Sequence, residues 1–170
     1  MSTASLMTFA EFEQLPDAPG KQELIDGELI EYPPPIFRHS EIAKNFYDFL
    51  AATPYKSRVF QETGYRIAGG WLQPDLSITW PNQRPSGDYL VGGPMIAIEI
   101  LSPSNNAADV ERKLTLYLSE GGGEVWVVDY KRRIMTVYRK AVDQVLRIVA
   151  DSTYTSDLLG LTIELSLVFG

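Results

Sequence analysis

The chain has 170 residues, 45% hydrophobic and 22% charged, with 22 acids against 15 bases for a formal net charge of −7. That length fits one domain at the usual ~150 residues each, and the composition excludes general disorder. With no Cys and one His, the chain has no disulfide scaffold, thiol nucleophile, thiolate metal site or multi-His cage of its own.

In chain order, the first residues lack the basic region and apolar block of a signal peptide. No apolar stretch reaches the ~18 residues of a membrane span, so the expectation is a soluble cytoplasmic protein. Thr8-Phe9-Ala10-Glu11 is a capping box opening a short helix, with Met7 and Phe12 as its hydrophobic staple, and Pro16–Gly20 stops it. Glu23–Tyr32 reads as a hairpin turning at Asp26-Gly27, a pair suited to a type I′ turn. Pro33-Pro34-Pro35 forces extended chain, and Ser40 is placed as the N-cap of a helix with apolar Ile42, Phe46, Phe49 and Leu50. Strands are expected over Val59–Ile67, Leu76–Trp80 and Met95–Leu101, the last almost continuously apolar, as in strands covered on both faces. A helix is expected over Asn105–Ser119, stopped by Gly121-Gly122-Gly123. Four more strands follow: Glu124–Asp129, Arg133–Arg139, Gln144–Ala150 and Leu161–Phe169.

These elements predict an α/β fold of the α+β kind, a mixed β-sheet flanked by helices, in a single domain. Residues 1–35 form an N-terminal helix and β-hairpin extension, 36–140 the core, and 141–170 the C-terminal strands. Charge is unevenly spread: residues 1–52 hold nine acids against three bases. The remainder is near neutral and carries a basic cluster, Lys131-Arg132-Arg133 with Arg139-Lys140. The acidic balance counts against avid non-specific nucleic-acid binding, while a local basic face remains open.

Glu99 is the one charged side chain in the run Met95–Leu101. A carboxylate there costs several kcal/mol unless it is paired or metal-bound. Alternatively it lies at the strand end in water or pairs with a structural Arg. Asp75 follows Pro74 at the start of the next strand upstream, where it is either a strand-start feature or, if the two strands are neighbours, a second carboxylate converging on Glu99 to hold a hard cation. Lys113 flanks the buried stripe Val110, Leu114, Tyr117 and Leu118, on a helix tethered to the Glu99 strand by Ser102-Pro103-Ser104. It is either a snorkelling surface lysine or a group that reaches the carboxylates. Two acids and a lysine suit metal-assisted phosphodiester hydrolysis, the acids holding Mg²⁺ (or Mn²⁺) and the lysine orienting water or stabilising charge on the phosphate. A phosphate-binding Gly loop and a Gly-x-Ser-x-Gly elbow are both absent, which removes support for an NTPase or an esterase.

Pro74-Asp75, Glu99-Ile100-Leu101-Ser102-Pro103-Ser104, Lys113 with Tyr117, Gly123-Glu124-Val125-Trp126 and Asp129 together resemble the Uma-two restriction-endonuclease family of the PD-(D/E)XK nuclease superfamily. The hairpin Glu23–Glu28, the Pro-rich stretch with His39, and Asp157–Ile163 match it as well, so the resemblance spans nearly the whole chain. It implies a restriction-endonuclease-like fold, a metal-dependent DNA-cleaving activity, metal carboxylates at Asp75 and Glu99, and, by analogy with enzymes that cut two strands, a homodimer. Glu28 and His39 match further positions near the implied site, although Glu28 also reads as a hairpin cross-strand partner and His39 as a residue that caps or packs before the Ser40 helix. Glu62 is a further acid of ambiguous placement. The superfamily's Glu-x-Lys pattern would put Lys at 101, where Leu101 stands; some relatives move that lysine to the following helix, which makes Lys113 its counterpart. Two functions follow: a Mg²⁺-dependent endodeoxyribonuclease, or a catalytically inactive nuclease-like module that binds a protein or nucleic-acid partner.

Overall fold

The computed structural model describes residues 6–170. The capping box forms, with Thr8 Oγ1 accepting the Glu11 N–H and Glu11 accepting the Thr8 N–H, but the helix it opens, α1 (Phe9–Phe12), lasts a single turn. The hairpin is β1 (Gln22–Ile25) against β2 (Glu28–Glu31). Both turn residues have positive φ, Asp26 at 50° and Gly27 at 82°, as a type I′ turn requires. At the hairpin's base a Cβ on Gly20 would lie 1.9 Å from the Tyr32 carbonyl oxygen, so only glycine lets the incoming chain pass the outgoing one.

Helix α2 (Phe37–Ala51) starts four residues earlier than the sequence suggests, with Ile36 rather than Ser40 as its N-cap and no side-chain cap bond. The helix begins as soon as the proline run ends. His39 therefore lies inside the first turn rather than before it, heading the buried stripe His39, Ile42, Phe46, Leu50. The predicted strand Val59–Ile67 is in fact two, β3 (Val59–Gln61) and β4 (Tyr65–Ile67), because Glu62 takes a left-handed backbone (φ 47°) and redirects the chain into a different sheet. β5 (Gly70–Leu72) is unpredicted, being too short to show a period. β6 (Leu76–Ile78) falls inside its predicted span. After the equally short, unpredicted β7 (Leu90–Val91) come β8 (Ile96–Ile100), α3 (Ala107–Ser119), β9 (Glu124–Asp129), β10 (Ile134–Lys140) and β11 (Val145–Ala150), all within two residues of prediction. β12 (Thr153–Ser156) pairs with β13 (Leu161–Glu164). The last predicted strand ends at Glu164: Leu165, Val168 and Phe169 recur at helical spacing and form the buried face of a short helix, α4 (Leu165–Phe169).

The strands make the expected mixed sheet, of six strands, together with a second sheet of five and a two-stranded ribbon. The five-stranded sheet has order β2-β1-β5-β4-β7, the six-stranded one β11-β10-β9-β8-β6-β3. In the larger sheet β8 and β9 are parallel and the other pairs antiparallel. Ile96, Ile98, Ile100, Trp126 and Val128 pack toward α2 and α4. Ala97, Val125 and Val127 pack toward α3 and the smaller sheet, meeting Tyr117, Leu118, Ile25 and Tyr65. Each fully buried Ile or Leu contributes about 2 kcal/mol of transfer free energy. With every residue of β8 buried, that strand is a stiff platform, and its period of two turns Glu99 toward α3. Among the described residues no helix is long and apolar enough to cross a membrane.

Candidate active site

β6 runs antiparallel to β8 with Leu76 opposite Ile98 and Ser77 opposite Ala97; one step further sets Asp75 against Glu99. Both carboxylates line a cavity of about 380 Å³, together with Lys21, Tyr32, His39 and Glu62. Asp75 is pinned on both oxygens. Its Oδ2 accepts the Ile100 N–H at 2.7 Å and lies 3.3 Å from His39 Nε2, while Oδ1 accepts from Lys21 Nζ at 3.3 Å. Glu99 is pinned on one: Oε1 accepts from the Tyr117 hydroxyl at 2.9 Å and lies 2.7 Å from Lys113 Nζ. Its Oε2 takes no hydrogen bond from the described residues.

Behind the carboxylates sits a third, Glu23, which is fully buried. Its Oε1 accepts the Gln73 N–H at 2.8 Å and lies 2.9 Å from Lys113 Nζ; its Oε2 has no partner, nor has the buried His39 Nδ1. The Tyr32 ring lies under both ammoniums, its centroid 5.2 Å from Lys21 Nζ and 5.7 Å from Lys113 Nζ, a cation–π arrangement that supplements the carboxylates. Three carboxyl groups thus face two lysine amines in one cluster.

The two cavity acids titrate in opposite directions. Burial would raise Asp75, but Lys21 and His39 outweigh it and hold the carboxyl below its ordinary range. Burial wins at Glu99 despite Lys113 and Lys21, with Asp75 and Glu23 adding to it, and raises that carboxyl. Lys113 keeps its proton more tightly than usual, since Glu23 and Glu99 overcome the cost of burial.

Of the residues singled out in the sequence, Asp75, Glu99, Lys113 and His39 converge. Glu28 does not. It lies two rungs nearer the hairpin turn than Glu23, opposite Ile25, where its side chain is exposed and pairs with Arg112 at 2.8 Å. Glu62 is exposed at the cavity wall. Lys21 and Glu23 belong to the cluster and were missed. Glu23 carried a usable signal: the hairpin register sets it beside Ile25 and Ile30, an acid on an apolar face, the same anomaly that marks Glu99. Lys21 precedes the strand and carried none. The basic cluster divides. Because β9 is parallel to β8, the turn after Asp129 puts exposed Lys131 and Arg132 at the Glu99 end of the sheet, with Arg139 and Lys140 at the other. Arg133 turns away to the Phe169 and Gly170 carbonyls.

Among the described residues no three His, Asp or Glu side chains form a ready-made metal cage. Mg²⁺ does not need one: it commonly binds through one or two carboxylates and keeps waters and substrate phosphates for the rest of its shell. Two hard carboxylates at a cavity, one with a free oxygen, fit that habit.

Known proteins agree with this architecture. A solved structure from Anabaena variabilis ATCC 29413, described as a putative nuclease belonging to DUF820, superposes with a TM-score of 0.83 at 23% identity, over 96% of this chain and 97% of that one. That likeness establishes the nuclease-like fold. No curated protein matches the chain. The family model for Uma2, putative restriction endonucleases, matches residues 9–168, and the chain belongs to that family.

Proposed function

We propose that the protein is a Mg²⁺- or Mn²⁺-dependent endodeoxyribonuclease acting in the cytoplasm, as a homodimer where both strands are cut. The observation that carries this reading is the β6–β8 register, which brings Asp75 and Glu99 together at the wall of one cavity. Asp75 and Glu99 would hold the ion, which when bound polarises a phosphate and acidifies a water. Asp75 suits this because Lys21 and His39 keep it ionised. Lys113, fixed between Glu23 and Glu99, aims the Glu99 carboxylate and places a permanent positive charge beside the reacting centre.

Calorimetric titration with Mn²⁺ tests the site directly. Wild type binds, and Asp75→Asn and Glu99→Gln both lose binding. A DNA-nicking assay in the same buffer then loses activity with EDTA and with either variant. Absence of Mn²⁺ binding by wild type at millimolar concentration overturns the catalytic reading. One observation favours a second reading in that event: Leu101 stands where the superfamily pattern has its lysine, as expected of a nuclease-like module that binds a partner without cutting.

A further inference from the structure

The two site lysines are held differently. Lys113 is 3% exposed and does not line the cavity; its ammonium is committed to Glu99 and Glu23. Lys21 does line the cavity, and its side chain is 17% exposed. An ammonium has three N–H donors. Lys21 gives one to the Gln73 carbonyl at 3.0 Å and one to Asp75 Oδ1 at 3.3 Å, with Glu23 Oε1 4.0 Å from the ammonium, so its hydrogen bonds use two of the three donors. Its position is fixed from below by the Tyr32 ring and from behind by the hairpin base, where the Lys21 carbonyl accepts the Tyr32 N–H at 2.8 Å and Gly20 permits the close pass. The group that sequence spacing nominates for contact with the phosphate is thus sealed off from it, while an unnominated lysine stands at the opening.

We propose that Lys21 is the substrate-contacting cation of the site, donating its free N–H to a non-bridging phosphate oxygen of the DNA strand. Lys113 is then a positioning residue that works through Glu99. The inference rests on the nuclease reading for its substrate, but the donor geometry calls only for a phosphate oxyanion.

The test is fluorescence anisotropy of a labelled DNA duplex across a salt series, with Ca²⁺ in place of Mg²⁺ to suppress hydrolysis, for wild type, Lys21→Met and Lys21→Arg. Removal of one phosphate contact lowers affinity at least ~10-fold and reduces the slope of log K against log salt by about 1. Lys21→Arg keeps the charge and most of the affinity. Calorimetry with Ca²⁺ alone, and with inorganic phosphate in the presence of Ca²⁺, runs beside it. Ca²⁺ binding by Lys21→Met at least as tight as wild type shows that the carboxylates are still in place, because the lysine no longer competes for Asp75. If wild type and Lys21→Met bind duplex equally with the same salt slope, the assignment of Lys21 is wrong and the nuclease reading stands. If wild type takes phosphate but no duplex and Lys21→Met takes neither, the assignment stands and the nuclease reading falls. Binding of neither probe by wild type overturns both.

Discussion

Glu99 and Glu124 are buried glutamates on neighbouring strands of one sheet, and the fold treats them in opposite ways. Glu124, at the start of β9, is 2% exposed and satisfied on both oxygens by neutral donors. Tyr154 donates to Oε1 at 3.0 Å, and Trp126 Nε1 and Ser156 donate to Oε2 at 2.8 and 3.1 Å. Two of those donors come from β12, so the cluster fastens the β12–β13 ribbon to the sheet. Glu99, at the end of β8, meets a lysine and a tyrosine on one oxygen and keeps the other free at a cavity wall. A carboxylate whose hydrogen-bonding capacity is filled serves the fold. One that is desolvated, charge-compensated and half-occupied is built to take something more.

Activity offers the largest test of this contrast. On the proposed metal role, several kcal/mol of transition-state stabilisation would pass through the two cavity carboxylates, so Glu99→Gln and Asp75→Asn should each lower nicking by at least ~10³-fold. Glu124→Gln, far along the sheet, should leave the rate constant of its folded fraction within ~3-fold, which single-turnover nicking measures. Equal losses at Glu99 and Glu124 would show that both act through the fold.

Stability should reverse the order. Glu124→Ala strands three buried donors at about 1–3 kcal/mol each, partly relieved by water, for a cost of roughly 3 kcal/mol. Glu99→Gln removes a charge that burial disfavours and retains an acceptor for Lys113, so its urea midpoint should equal or exceed that of wild type. That is the trade-off expected where a site is held against its own stability.

The pH dependence sharpens the same point within the site. The folded state depresses Asp75, so its stabilising contribution is present above the unfolded value near 3.9 and is lost as pH falls through the lower folded value. The folded state raises Glu99, so its contribution is complete below an unfolded value near 4.3 and is lost as pH rises through the higher folded value. Urea midpoints from pH 3 to 8 should therefore diverge. Asp75→Asn should fall below wild type at neutral pH and rejoin it in acid. Glu99→Gln should gain on wild type as pH rises from 4 to 7. Parallel curves for the three proteins would contradict the opposed titrations.

Much of this site could be read from residues alone, and the boundary is physical. Glu99 was legible because a charge in a fully apolar strand is a local anomaly, and the two strands' proximity turned Asp75 from a strand-start feature into its partner. Lys113 was legible through the helical wheel, but its depth was not: burial depends on Glu23 arriving from a hairpin ninety residues away in sequence. Glu28 and Glu23 share one hairpin face, and only the packing of Arg112 against the turn shows which of them the cluster takes. The split at Glu62 and the α4 helix were hidden because a single left-handed residue or a five-residue apolar tail carries no reliable period.

The smallest effect concerns the two halves of the basic cluster, which are six residues apart in sequence and separated by the length of a strand in space. The parallel β8–β9 pairing puts Lys131 and Arg132 at the Glu99 end, and the antiparallel β10 carries Lys140 to the far end. Asp129 spends Oδ1 on the Lys131 and Arg132 backbone N–H groups, and its Oδ2 lies 3.8 Å from Arg132 Nε, so both side chains stay largely free of close partners. A duplex seated at the cavity would pass nearer to them than to Lys140, and exposed charges separated by more than a Debye length, about 10 Å at 0.1 M salt, are largely screened. Lys131→Glu with Arg132→Glu should then weaken duplex binding several-fold at 50 mM salt and hardly at all at 300 mM, while Lys140→Glu changes neither. Equal losses from both ends would mean that the protein's overall field, and not a path beside the carboxylates, sets the approach of DNA.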